Sequence, residues 1–252
     1  MWLDDDLTIR KQDLFLSQPF VNAAGMLGFP PDPRTMPFLK RMGAFITHPI
    51  SRGPRTPAGN RCCLAFPGGF LLHTGLPNPG ISRAVSRYHR AWANASLPVI
   101  VHLLVETPET LVEMVRKIEG LENILAIELG LPPDCTPDAL AGFVTAAVGE
   151  LAVIPCLNPD QVPVLLPALR ELAPTAVHLT LPRGTLPGPD GALVTGRLYG
   201  PALFPQMLKA ARTLVDAGLQ VIADGGNDPS QAEALLGAGV TGVGLTEELW
   251  KV

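Results

Sequence analysis

The feature that most constrains the fold is an alternation, repeated eight times, of a short apolar stretch and a helix-forming stretch. The apolar stretches lie at residues 19–25, 44–50, 98–104, 124–131, 151–157, 176–181, 220–223 and 242–245. Such a pattern is typical of parallel strands joined by crossover helices. We therefore predict a (β/α)8 barrel. An open doubly wound sheet is the alternative, disfavoured because no Gly-x-Gly-x-x-Gly follows the first strand.

The segments between the predicted strands carry helix signals. In Thr107-Pro108 and Thr136-Pro137, a hydroxyl side chain at the N-cap precedes a proline in the first turn. Gly218 is a predicted helix stop. The predicted helices cover residues 34–42, 81–95, 107–119, 136–150, 162–172, 201–217 and 228–236, with a short last helix after residue 246.

The length of 252 residues and the 47% hydrophobic content predict one domain over residues 1–252. Residues 7–9 and 14–16 alternate apolar and polar side chains around a polar centre and predict an N-terminal β-hairpin. Two long loops rich in Gly and Pro, residues 51–80 and 182–199, follow the second and sixth strands. Loops of this length in a compact domain are usually functional.

Charge and composition exclude several partner classes. The net charge of -4 and the pI near 5.7 argue against a nucleic-acid surface. No apolar run reaches the ~18–20 residues that a bilayer span needs, and the acidic start is unlike a signal peptide. The four cysteines have no CxxC or CxxH spacing. We expect a cytoplasmic protein, a homodimer, with a small-molecule ligand.

The first long loop makes the chain recognisable. Its informative segments are Thr47-His48-Pro49-Ile50, Pro54-Arg55, Gly59-Asn60, Gly68-Gly69-Phe70-Leu71-Leu72 and Gly75-Leu76-Pro77-Asn78-Pro79-Gly80. With them the chain resembles the FMN-dependent dihydroorotate dehydrogenases of the soluble, class 1-like type, as a divergent member. The resemblance covers nearly the whole chain. It implies an oxidoreductase that converts dihydroorotate to orotate in pyrimidine biosynthesis.

The resemblance also implies site residues at the carboxyl ends of the barrel strands. The positions matching flavin contacts are Ala24, Gly25, His48, Glu128, Cys156, Gly196, Gly200, Gly225 and Gly226. Asn78 matches a position that anchors substrate. Glycines 225 and 226, with their backbone N–H groups, match the flavin phosphate loop.

Several positions depart from the family pattern. His48 and Cys156 stand where the family has lysine, and Leu72, Gly130 and Leu181 replace asparagines. Glu247 and Glu248 place negative charge where a phosphate would bind. The family's Cys or Ser base has no counterpart in register, which leaves Cys135, His48 and Cys156 as candidate catalytic residues.

Strand alternation predicts that His48, Glu128 and Cys156 point into the barrel mouth. His102 is expected nearby and Asp224 at the lip, whereas His178 is left out because its parity differs from that of Leu181. The set allows three interpretations. It is a polar plug in an emptied flavin pocket, a metal site of His48, His102, Glu128 and Cys156, or an acid–base site.

Two functional hypotheses follow. The first is an FMN-dependent oxidoreductase related to dihydroorotate dehydrogenase. The second is a non-catalytic or re-purposed barrel that binds another small ligand, such as a phosphorylated one, or a protein partner. The second rests on the simultaneous loss of the polar groups that would satisfy the flavin ring, because unsatisfied buried groups cost about 1–3 kcal/mol each.

Overall fold

A computed structural model describes residues 14–59 and 62–250 of the chain. Its strands are β1 (Phe20–Asn22), β2 (Phe45–Ile46), β3 (Cys62–Phe66), β4 (Gly69–His73), β5 (Val99–Leu104), β6 (Ile124–Gly130), β7 (Ala152–Leu157), β8 (Val177–Leu179), β9 (Arg183–Pro187), β10 (Leu193–Tyr199), β11 (Val221–Asp224) and β12 (Gly242–Leu245). Its α-helices are α1 (Ile81–Ala93), α2 (Pro108–Val115), α3 (Pro137–Ala147), α4 (Val162–Leu172), α5 (Phe204–Asp216) and α6 (Pro229–Gly237). Short 3-10 helices cover Pro37–Arg41, Pro159–Gln161, Pro201–Leu203 and Glu247–Trp250.

Eight of the strands form one parallel sheet that closes into a barrel. Their order is β1, β12, β11, β8, β7, β6, β5 and β2. A parallel bridge from Val21 to Ala44 joins β1 to β2 at the seam. The buried Asn22 side chain strengthens this seam, since its amide accepts from the Ile46 N–H at 2.9 Å and donates to the Ile46 carbonyl at 2.7 Å. The predicted (β/α)8 barrel is confirmed.

The predicted helix starts are also confirmed. The hydroxyls of Thr107 and Thr136 accept from the backbone N–H three residues on, and the Asp228 carboxylate caps α6 in the same way. The helix predicted at residues 34–42 is wrong in type and length, because only the 3-10 helix Pro37–Arg41 forms. Pro37 keeps the preceding residue out of the α conformation and shortens the helix.

The barrel interior is apolar in its lower half. Ile46, Ile100, Ile154 and Ile222 fill it with small alanines between them. A second and larger apolar cluster lies between the outer face of the sheet and the helices. The lower half therefore acts as packed core and leaves the carboxyl ends of the strands for a site.

The two long loops do not remain loops, which the sequence analysis missed. The first forms the hairpin of β3 and β4, and the second forms β9 and β10. β4 pairs with β10, so the two excursions make one antiparallel sheet in the order β3, β4, β10, β9. We call this sheet the roof, because residues of β4, β9 and β10 line the cavity at the carboxyl end of the barrel.

The first arm of the predicted N-terminal hairpin, residues 7–9, lies outside the described residues. In the second arm, Leu14 and Leu16 pack against the inner apolar cluster. No helix among the described residues has both the length and the apolar character to cross a bilayer.

Candidate functional site at the barrel mouth

A polar layer lies directly above the apolar lower half of the barrel. Along several strands, an inward-facing apolar residue is followed two positions later by an inward-facing residue that is polar or ionisable. The change occurs in five strands, as Ile100 to His102, Ala126 to Glu128, Ile154 to Cys156, Ala176 to His178 and Ile222 to Asp224. Because side chains alternate along a strand, these residues share the barrel interior.

Glu128 is the centre of this layer. It is fully buried, and one carboxylate oxygen lies 2.5 Å from His102 Nδ1 while the other lies 2.7 Å from His178 Nδ1. His178 Nε2 in turn lies 2.9 Å from an Asp224 carboxylate oxygen, and the Thr180 hydroxyl donates to the other Asp224 oxygen at 3.0 Å. We call these five residues the mouth network.

Electrostatics fix the charges within the mouth network. Burial opposes the charged form of Glu128, but the imidazoles of His178 and His102 hold its pKa well below the ordinary range. Burial likewise opposes a charged His178, yet Glu128 and Asp224 raise its pKa to about 10. Glu128 is therefore an anion and His178 a cation at neutral pH, so the pair is compensated inside a low-dielectric core.

Two adjoining cavities open above the mouth network. One has a volume of about 210 Å³ and is lined by residues of β4, β9 and β10, together with Ala24, Gly25 and His48. The other has a volume of about 70 Å³ and reaches down to His102, Gly130 and Cys156. Pro49, Leu76, Arg183 and Arg197 line both cavities, so the two form one mouth.

Three arginines surround the larger cavity. Arg55 comes from the first long excursion, and Arg183 and Arg197 come from β9 and β10 of the roof. In the part of the chain that the structure describes, no carboxylate lies within salt-bridge distance of any of the three. Arg197 is nevertheless near enough to Cys156, Asp224 and Glu128 to feel their charges. The mouth is therefore electropositive.

His48 also lines the larger cavity. Burial and the neighbouring His102 lower the pKa of its imidazole. Its Nε2 is buried without a hydrogen-bond partner in the described residues. A buried polar atom without a partner is uncommon and is a place where a ligand would gain a hydrogen bond.

Cys156 lies beside Glu128 at the end of β7. Burial and the Glu128 carboxylate raise the pKa of its thiol well above the ordinary value. His102, Glu128 and Cys156 offer donor atoms within 4.8 Å of one another, whereas His48 does not belong to this group. Since both Glu128 oxygens already contact imidazole nitrogens, a cation would have to displace one of these contacts.

The two glycines predicted at the phosphate loop, Gly225 and Gly226, do not line either mouth cavity in the described part of the chain. Gly226 lines a separate groove of about 520 Å³ outside the barrel wall, together with Asp228, Glu233 and Glu248. A Cβ on Gly226 would collide with Val243, so its glycine is required for packing. Gly225, with φ +105°, turns the chain out of β11.

Three further predicted residues lie outside both mouth cavities among the residues described. Cys135 is buried in the loop after β6, and burial with the neighbouring Asp134 raises the pKa of its thiol to about 11. Asn78 uses its side-chain oxygen to accept from Ser51 and Gly80 and its amide to donate to Leu76. Gly200 lets β10 approach Gly68 closely. Gly196, by contrast, lines the larger cavity.

Several residues of the mouth are not among the predicted site residues. The parity of Leu181 left His178 out of the predicted set, but Ala176, His178 and Thr180 face inward and Leu181 lies beyond the end of β8. The run of small and polar residues at 176, 178 and 180 was the signal that would have found it. Arg183 and Arg197 were missed because nothing local indicates that a loop folds back over the mouth.

The fold and the mouth together define a (β/α)8 barrel with a roofed, electropositive cavity at its carboxyl end. No family model matches the chain. The catalytic subunit of dihydroorotate dehydrogenase B (NAD(+)) from Pelobacter propionicus is 26% identical over 227 residues, covering 81% of this chain and 74% of that protein. The protein of the same name from Geotalea daltonii is 26% identical over 266 residues, covering 94% and 85%. The chain is thus distantly similar to these catalytic subunits.

Among solved structures, a mutant FabK from Thermotoga maritima aligns with a TM-score of 0.41 and 16% identity, covering 66% of this chain and 48% of that one. This similarity is too weak to inform the fold or the function.

Proposed function

We propose that this protein is a dihydroorotate-dehydrogenase-like barrel that binds a small carboxylate, rather than a flavin, at its mouth. The observation that carries the proposal is the convergence of Arg55, Arg183 and Arg197 on a cavity of about 210 Å³. Below them Glu128 and Asp224 both contact His178, and no carboxylate of the described residues forms an ion pair with the three arginines. Arg55 donates its Nε–H to the Gly75 carbonyl, and the other guanidinium N–H groups remain for a ligand. Planar guanidinium groups match carboxylates in geometry and charge.

FMN, which the resemblance implies, does not fit the residues present. Sites for drug-sized ligands have volumes of roughly 300–1,000 Å³, and the mouth cavities are smaller. The predicted phosphate end borders the groove of about 520 Å³, but it carries acidic side chains. The Thr246 hydroxyl lies 2.5 Å from a Glu247 carboxylate oxygen and 2.7 Å from the Asn227 side-chain oxygen. These carboxylate and amide oxygens repel a phosphate.

The space that would hold the flavin ring is also obstructed. Gly130 stands where the resembled enzymes have asparagine, and a Cβ there would lie 2.4 Å from His102 Nε2. The His102 imidazole therefore takes the space that a side chain at position 130 would need. The loss of asparagine and the presence of histidine are thus two parts of one rearrangement.

The second candidate function is an FMN-dependent oxidoreductase acting on dihydroorotate. It is supported by the names of the relatives and by similarity that covers up to 94% of the chain. It requires the mouth to widen and Glu247 to leave Thr246.

Calorimetric titration of the purified protein with oxalate, inorganic phosphate and FMN tests the two functions. We expect colourless protein that binds oxalate. Arg197→Gln should weaken oxalate about 10- to 100-fold, the effect of losing one charged hydrogen-bond partner worth about 1.5–3 kcal/mol. Arg212→Gln on the exposed face of α5 is the matched control and should leave affinity unchanged.

Two results would overturn the proposal. Stoichiometric FMN in the purified protein would favour the second candidate, and absence of binding by any carboxylate would remove the anion site.

A further inference from the structure

His102 differs from the other members of the mouth network because one of its nitrogens faces a cavity. Its backbone N–H donates to the Thr47 hydroxyl at 3.0 Å, which fixes the strand at this point. Its side chain is buried, and Nδ1 lies 2.5 Å from Glu128. The imidazole is therefore held in one orientation on a rigid strand.

The charge on Glu128 determines the tautomer of His102. A carboxylate accepts hydrogen bonds and cannot donate, so the Nδ1 that contacts it carries the proton. The other Glu128 oxygen is held by His178, which Asp224 holds in turn. In the neutral form of the imidazole, His102 then has a lone pair on Nε2.

Gly130 lies next to Nε2 of His102. A Cβ on Gly130 would lie 2.4 Å from Nε2, and both residues line the 70 Å³ cavity. No described residue forms a hydrogen bond with Nε2. Arg197 lines the same cavity, together with apolar residues such as Leu131 and Leu157 and polar residues such as Asn158 and Gln161. A base and a cation thus line one small cavity.

We propose that His102 is a general base that removes a proton from the carbon next to a carbonyl in a small 2-oxo carboxylate. The proposal rests on the proposed function, because the arginines must first hold the carboxylate. The C–H bond breaks, its electron pair moves onto the carbonyl oxygen as an enolate, and the proton forms a new bond to Nε2. Arg197 faces the enolate oxygen. Return of a proton to carbon completes the cycle without net oxidation.

Glu128 and His178 act as positioning residues in this step. They orient His102 and stabilise the imidazolium that forms when Nε2 takes the proton. A hydrogen-bonded carboxylate on the far nitrogen is the usual device for this purpose. No flavin, metal or other co-reactant enters the balance.

Proton NMR of pyruvate in D₂O tests the step, since loss of the methyl signal reports exchange of C–H for C–D. We expect the protein to accelerate exchange, and His102→Gln to reduce the acceleration about 100-fold or more, within the range typical of general-base catalysis. Oxalate affinity of His102→Gln, measured separately, should stay within about threefold of the wild-type value, because the arginines remain. His89→Gln on α1, away from the mouth, is the matched control.

The outcomes separate the two proposals. Oxalate binding with exchange equal to that of His102→Gln would overturn the base and leave the proposed function. Absence of oxalate binding would overturn both. A measurement on the wild-type protein tests the base even if His102→Gln fails to fold. Nitrogen-15 NMR of the histidines should show His102 with a protonated Nδ1 and a bare Nε2, and the opposite tautomer would overturn the base.

Discussion

The lower and upper halves of the barrel interior occupy the same strands, two residues apart, and have opposite character. Ile100, Ile154 and Ile222 form a dry apolar packing below. His102, Cys156 and Asp224 lie above them in a layer of buried ionisable groups. Buried charges are seldom the most stable filling of a core, so the lower half fits a role in maintaining the fold and the upper half fits the ligand site proposed above.

The largest expected effect of this difference is on stability. Glu128→Ala removes the anion that compensates His178 and should lower the free energy of unfolding by about 3–5 kcal/mol, the usual result of breaking a buried ion pair. Ile154→Ala, in the half below, should cost about 2–5 kcal/mol by leaving a cavity. Urea denaturation measures both.

Ligand binding distinguishes these two variants. We expect Ile154→Ala to change oxalate affinity less than Glu128→Ala, because Ile154 pairs with Glu128 across β6 and β7 but belongs to the apolar cluster and carries no charge. Equal effects of the two variants on oxalate affinity would show that the halves are not functionally separate.

The second effect is a pH dependence that only the upper half can produce. The pKa of His178 is about 10 in the fold and 6.5 ordinarily. A group with a raised pKa contributes its full stabilisation below the unfolded pKa and loses it as the pH rises toward the folded one. Stability should therefore fall by about 2 kcal/mol between pH 6.5 and 8.5.

His178→Gln should flatten this decline, and denaturation midpoints of the two proteins across that range provide the measurement. The range stays below the point where the thiol of Cys156, whose pKa is also raised by burial, would add a loss of its own. Parallel curves for the two proteins would mean that His178 is not charged in the fold.

The smallest expected effect concerns the contact between His102 and position 130, where a glycine stands in place of a larger side chain. Gly130→Ala should destabilise the protein by about 1–3 kcal/mol, because its Cβ meets His102 Nε2. In a His102→Ala background the same change should be nearly neutral. A double-mutant cycle gives the coupling, and an additive result would argue against the contact.

The sequence predicts the residues carried by regular strands and helix ends better than the rest of the mouth. Strand periodicity places Glu128 and Cys156 inside the barrel and the helix caps at Thr107 and Thr136, since these are local patterns. The rest of the mouth depends on contacts between segments that are distant in sequence. To place His178, the exact end of β8 must be known. To place Arg197, it must be known that the two long loops pair as one sheet, although Arg197 and its partner Leu72 are 125 residues apart in sequence (197 − 72). Pairing of that kind leaves little local signal.

The roof has a consequence for the rate at which any ligand leaves. Arg197 lies on β10, opposite Leu72 of β4, so the residue proposed to hold a carboxylate belongs to the central pair of strands of the roof. Opening one excursion alone would break the ladder between β4 and β10. Residence time should then depend on the cooperative release of both excursions, and substitutions in the β3–β4 hairpin would alter dissociation without touching the ligand.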